Sequence, residues 1–349
     1  MEEKGHVSFG DRSVAYLKSH PVLALLILTP GIPEYLSSSS PINAIVLNPA
    51  MFLFQLLANL GLYGSGALLI HDARIRWGKG WATVLLLGAA YGILEEGVAL
   101  STLFDPKAGP VGSLGVYGHW LGVNWVWAAG IVPFHAIFSI SIPILLLGLA
   151  QPETRSGPLL SGRGAKAALA VLTLDVVVLM AVVWRASSYW MGSPILILSL
   201  ISIGCLVWAS RRIPARPFAP RGPSPRTSTR RLALVGASFF PATILTEGLG
   251  MGSGLPAAMD FLLVLLVQAL YLASLYRLDW SGNERGLVAF ALGLLIPIAV
   301  LGVLAELALP MTLLADAAIF LFFRRLWSKY PARGAAPLPA KPLNPQGGD

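Results

Sequence analysis

Apolar residues run in blocks along this chain, separated by short polar or Pro- and Gly-rich breaks. A hydrocarbon core about 30 Å thick takes roughly 20 residues of helix to cross, because backbone N–H and C=O groups in lipid must be satisfied within the segment. On that rule the blocks predict ten spans, over residues 22–36, 49–70, 81–100, 131–150, 167–184, 193–210, 232–249, 255–275, 287–307 and 310–323. The first starts after Lys18 like the apolar core of a signal peptide. Pro30, Gly31 and Pro33 break it without a clear small-residue cleavage site, so it reads as a broken or re-entrant span. The alternating stretches of about 10 residues that mark a transmembrane barrel are absent. The expected fold is therefore an all-α, polytopic transmembrane helix bundle.

Composition agrees: 55% of the residues are hydrophobic and 12% charged, against about 25% charged in soluble domains. An ordinary soluble domain is excluded. The net charge of +8 raises nucleic acid as a partner until the basic residues are placed. With ten spans and a cytoplasmic N-terminus, every Lys and Arg except Lys107 and Arg185 falls on the cytoplasmic side, where positive charge collects. Both termini are then cytoplasmic, in a multi-pass protein of the plasma (cytoplasmic) membrane. No RNA-binding motif accompanies the charge, so nucleic acid is set aside. The Arg- and Pro-rich segment 211–231 separates an N-terminal transmembrane half (1–210) from a C-terminal one (232–329), and the Pro- and Ala-rich tail 330–349 reads as disordered. The single Cys205 excludes a disulfide framework or a Cys-based zinc site.

Ionisable groups inside spans are costly and mark functional candidates. Glu34, Glu95, Glu96, Asp175, Glu247, Asp260, Glu306 and Asp316 qualify, with an interfacial role equally open for Glu306 and Asp316. Glu95 and Glu96 stand out, because two adjacent carboxylates deep in one helix cannot both ionise comfortably without partners. Candidate partners follow in the sequence: His119, Asn124 and His135. The apolar stretch 119–150 is too long for one untilted crossing. Counting back from its end at Gln151-Pro152 puts His135 about 6 Å, and the Glu pair about 6 to 9 Å, beneath the outer surface. A carboxylate pair, two imidazoles and an amide around one cavity can activate water by general base action, or hold a divalent metal ion through Glu95, His119 and His135.

A Glu pair within a membrane helix, followed by histidines and an Asn, resembles the CPBP family of intramembrane proteases, which includes CAAX prenyl endopeptidases and bacteriocin-processing relatives. The resemblance runs from Glu95 to His135. Leu100 stands where the family has Arg, and Asn124 follows His119 by five residues rather than four. The resemblance implies that Glu95 or Glu96 activates the hydrolytic water, while His119, His135 and Asn124 position it or stabilise the oxyanion. The substrate would be a membrane-embedded peptide or a lipidic molecule.

A second pattern points elsewhere. Ile93-Leu94-Glu95-Glu96-Gly97 is echoed by Ile244-Leu245-Thr246-Glu247-Gly248, as in parallel repeats of transporters. On that reading Glu96, Glu247 and Asp260 serve a proton- or cation-coupled transporter. A third class, a non-catalytic membrane scaffold, requires none of these acids beyond stability.

Overall fold

The computed structural model describes residues 19–217, 227–278 and 283–331. The expected cytoplasmic N-terminus, the middle of the 211–231 linker and the tail after residue 331 lie outside the described residues. Ten main helices occur in chain order: α1 (Pro21–Leu36), α2 (Pro49–Arg76), α3 (Trp81–Ala99), α4 (Trp125–Ala150), α5 (Gly162–Ser187), α6 (Ser193–Arg212), α7 (Thr229–Gly252), α8 (Ala257–Leu275), α9 (Glu284–Ala305) and α10 (Thr312–Lys329). The one sheet among the described residues is a hairpin of β1 (His119–Trp120) and β2 (Val123–Asn124).

The protein is an all-α polytopic membrane bundle. Among the described residues eight helices, α2 to α9, are long and apolar enough to cross a membrane. The expected first and last spans differ from the rest. At 1.5 Å per residue α1 covers about 24 Å, short of the hydrocarbon thickness, and α10 carries Asp316, Arg324, Arg325 and Lys329.

Sequence explains most boundaries. Asn48 accepts a hydrogen bond from the Met51 amide ahead of Pro49, and Ser161, Ser228 and Asn283 cap α5, α7 and α9 in the same way. Helix α4 starts six residues earlier than the apolar count suggested. Pro133 lies inside it and frees the carbonyl of Ala129, four residues back. The Gln268 side chain of α8 donates to that carbonyl at 2.7 Å, which is how irregular backbone survives at membrane depth.

Among the described residues the core has, beside a smaller cluster of Leu103, Phe104 and Met191, two main centres. One packs α1 to α4, with Leu25, Tyr63, Leu68, Tyr91 and Ile140. The other joins α1 and α4 to α7, α9 and α10 through Ile32, Phe138, Phe239, Leu294 and Phe323. Helices α5, α6 and α8 keep apolar faces outward, with Leu174, Leu198 and Leu262 about 60% exposed, as lipid-facing helices do. Several basic residues among those described gather at one end of the bundle. There Arg211 lies over Trp77, Lys79 donates to the Ile213 carbonyl, and Lys329 donates to the carbonyls of Leu149 and Ala150.

At the opposite end Glu306 follows the last turn of α9. Its carboxylate accepts from the Ser38 hydroxyl at 2.6 Å and from the Ile42 and Thr312 amides, both at 3.0 Å. Burial opposes its ionisation, but donations from Ser38, Thr312 and Ile42 overbalance that and hold its carboxyl below the usual carboxylate range. Glu306 therefore ties the loop after α1 to the turn between α9 and α10.

Candidate functional site

Helices α1 to α4 each contain one widened, π-helical turn: Gly31–Leu36, Leu60–Gly64, Ile93–Ala99 and His135–Ser141. Such turns are rare and recur at functional sites. Glycine or proline sits within or beside each: Pro30, Gly31 and Pro33; Gly61 and Gly64; Gly92 and Gly97; Pro133 and Pro143. The four turns carry Glu34, Tyr63, the Glu95–Glu96 pair and His135, respectively.

Close approach of α3 and α4 assembles the centre. A Cβ on Gly88 would stand 2.8 Å from the Ala136 Cα, and one on Gly92 would stand 3.2 Å from the His135 Cβ. Small residues four apart thus let the two helices meet with little between them. His135 consequently lies between both carboxylates, with Nε2 2.7 Å from Glu96 Oε1 and Nδ1 3.1 Å from Glu95 Oε2. Nδ1 is also 2.9 Å from the Ser139 hydroxyl. Glu95, Glu96 and His135 are all buried, and one ligand atom from each falls within 4.8 Å of the others. Glu95 Oε2 has no aligned hydrogen-bond donor among the described residues, its nearest polar neighbour being the His135 Nδ1.

The surroundings are aromatic and hydroxylic. Tyr63 and Tyr91 flank the His135 ring with centroids 6.1 and 6.2 Å away. The Tyr63 hydroxyl donates to Glu34, whose other oxygen accepts from Ser40 at 2.6 Å. Thr102, in the loop after α3, donates to Glu96.

His119 and Asn124 face each other across the hairpin, with Nδ1 and Oδ1 2.7 Å apart. They are not within the three-residue cluster. Asn124 reaches it indirectly, since its amide nitrogen donates to the Thr102 carbonyl at 2.7 Å and to that of Asp105 at 3.0 Å. The hairpin thus holds the loop whose Thr102 hydroxyl fixes Glu96. Its turn, Leu121-Gly122, has positive φ at both residues, the conformation a two-residue hairpin demands.

Glu247 and Asp260 lie apart from this centre, on α7 and α8. Glu247 faces Gly130 of α4, where a Cβ would meet its carboxylate, and Asp260 faces Gly250. The local structures of the echoed segments differ: Ile93–Ala99 forms a π turn, whereas Glu247 occupies continuous α-helix. Asp175 of α5 rests on Gly61. Sequence reasoning missed Tyr63, Tyr91, Thr102 and Ser139. The tyrosines had a signal, since each stands in the middle of an apolar span directly before a glycine.

A family model described as an uncharacterized membrane protein family matches residues 23–326. The chain belongs to that family. No curated protein and no solved structure matches the chain. The match covers nearly every described helix, and it corrects the resemblance to the CPBP proteases. That resemblance rested on residues 95–135 alone, most of them in the loop and hairpin between α3 and α4. Its departures at Leu100 and Asn124 belong with that correction.

Proposed function

We propose that Glu95, Glu96 and His135 hold a divalent cation within the membrane and activate water there, making this integral membrane protein a hydrolase of bilayer-embedded substrates. The supporting observation is the convergence of two carboxylates and one imidazole, all buried, from π turns of two helices. Three protein ligands with a fourth position left for water is the catalytic arrangement for zinc-type ions. Such an ion brings bound water towards neutral pKa.

The protein's own groups carry the remaining chemistry. With one Glu95 oxygen on the ion, the other would accept a proton from the water, and the resulting hydroxide would add to the carbonyl carbon of an amide or ester. Collapse of the tetrahedral intermediate breaks the C–N or C–O bond, and the leaving group takes the proton back from Glu95. Thr102 and Ser139 position Glu96 and His135. Asn124, with His119 behind it, holds the Thr102 loop.

The test is full-length protein in liposomes containing fluorogenic transmembrane peptides and lipid esters. Cleavage should fall by about 10²- to 10⁴-fold in Glu95→Gln. Cleavage that persists in Glu95→Gln/Glu96→Gln would overturn the reading.

A second reading, cation-coupled transport, is favoured by Glu247 and Asp260. Glu247 Oε1 and both Asp260 oxygens are buried without an aligned donor among the described residues. Such acids mark ion pathways in membrane proteins. Transport requires that Glu247→Gln abolish pH-gradient-driven uptake; the hydrolase reading requires that it leave cleavage within about twofold.

A further inference from the structure

At the basic end of the bundle, remote from the Glu–Glu–His centre, a cavity of about 130 Å³ opens among the ends of α2 and α4, the starts of α3 and α9, and the turn after α4. Its lining combines a cationic part and an apolar part. Arg74 and Arg155 supply the first; Ile144, Leu145 and Leu287 supply the second, with the half-exposed Trp81 at the lip.

The arginines are held in place. Asp72, buried, accepts from the amides of Leu159 at 2.7 Å and Leu160 at 3.0 Å, which fixes the turn that follows Arg155. His71 bridges Asp72 and the Thr154 carbonyl, at 3.2 and 2.9 Å. Arg155 donates through Nε to Gly148 at 2.7 Å and faces Glu284 at 3.7 Å with one arm. Arg74 stacks 5.2 Å from the Trp81 ring, and its Nε is buried with no hydrogen-bond partner. Among the described residues no carboxylate pairs with Arg74. Two guanidiniums lining one small cavity, with one buried N–H unspent, call for an anion. Guanidinium forks match phosphate oxygens in geometry.

We propose that this cavity is a phosphate-recognition site. The volume admits a phosphate group but not a whole lipid or nucleotide. The apolar part of the lining and Trp81 suit a phosphate whose ester chain continues into the bilayer, as basic pockets between membrane helices do for anionic head groups.

The experiment uses delipidated full-length protein in neutral detergent, titrated with short-chain phosphatidylglycerol or with inorganic phosphate and read by native mass spectrometry. Wild-type protein should bind one equivalent of at least one probe. Arg74→Gln and Arg155→Gln should each weaken it by about tenfold. Leu145→Trp, which fills the cavity and leaves both arginines in place, should also abolish binding and guards against loss of fold in the arginine variants. Binding of the lipid alone identifies a head-group site, and binding of inorganic phosphate as tightly identifies a soluble phosphate as ligand; both support the proposal. Absence of binding by either probe, or binding unchanged in all three variants, overturns it.

Discussion

His135 is the residue on which the site turns, because its two ring nitrogens meet two different carboxylates. The sequence made this meeting legible through helix depth: counting residues back from Gln151 placed the imidazole and the Glu pair at similar levels. Depth does not determine azimuth, and the faces of α3 and α4 that meet are set by Gly88 and Gly92. Tyr63 and Thr102 escaped the sequence reading for the same reason, as they come from other segments and their approach is set by packing. Two single-residue outcomes follow. Glu306 is held ionised by Ser38, Ile42 and Thr312, so its folded pKa lies below the unfolded value. Its contribution to stability is present above pH about 4.3 and is lost as pH falls through the lowered folded pKa. In thermal melts Glu306→Gln should lower Tm at neutral pH, and the gap to wild type should close at acid pH. Asp72→Ala leaves His71, Arg76 and two loop amides without their acceptor, and should cost about 3 kcal/mol, read as a shift in the denaturation midpoint.

At the scale of elements, the spans were readable because lipid demands unbroken apolar length. The π turns were not, since a widened turn has no periodicity of its own and betrays itself only by local Gly and Pro. Helix α4 shows the consequence. Its start at Trp125 lies ahead of the expected position, and within it Gln268 takes over the carbonyl that Pro133 frees. Gln268→Leu should therefore destabilise the bundle by about 1 kcal/mol, measured as loss of monodisperse protein on heating in detergent. Gly88→Leu drives a side chain into the Ala136 backbone. It should separate α3 from α4 at a cost of about 1–3 kcal/mol and abolish cation binding while the other helices remain. Helical circular dichroism retained alongside lost binding is the expected pair of results.

For the whole molecule, composition and loop charge pointed to a polytopic bundle, and among the described residues Lys79, Arg211 and Lys329 lie at helix ends on one side of it. The two cores reveal what the span count left out. Helices α1 and α4 contribute to both, so Phe138 and Ile32 pack with α7 and α9 while Tyr63 and Tyr91 enclose His135 on the other side. The candidate centre is thus built on the most enclosed helices and shielded from lipid by more exposed ones. The family match over residues 23–326 replaces the short protease-like resemblance, and the site now rests on geometry. Its central claim is that Glu95, Glu96 and His135 hold a divalent cation. The direct measurement is metal content by mass spectrometry of full-length protein after equilibration with Zn²⁺ or Mn²⁺ and removal of free ion. Wild type should retain about one ion per chain, with three protein ligands leaving a fourth position for water. Glu96→Gln and His135→Ala, still monodisperse and helical, should retain almost none. Wild type without bound metal, or variants that bind as much, would contradict the account.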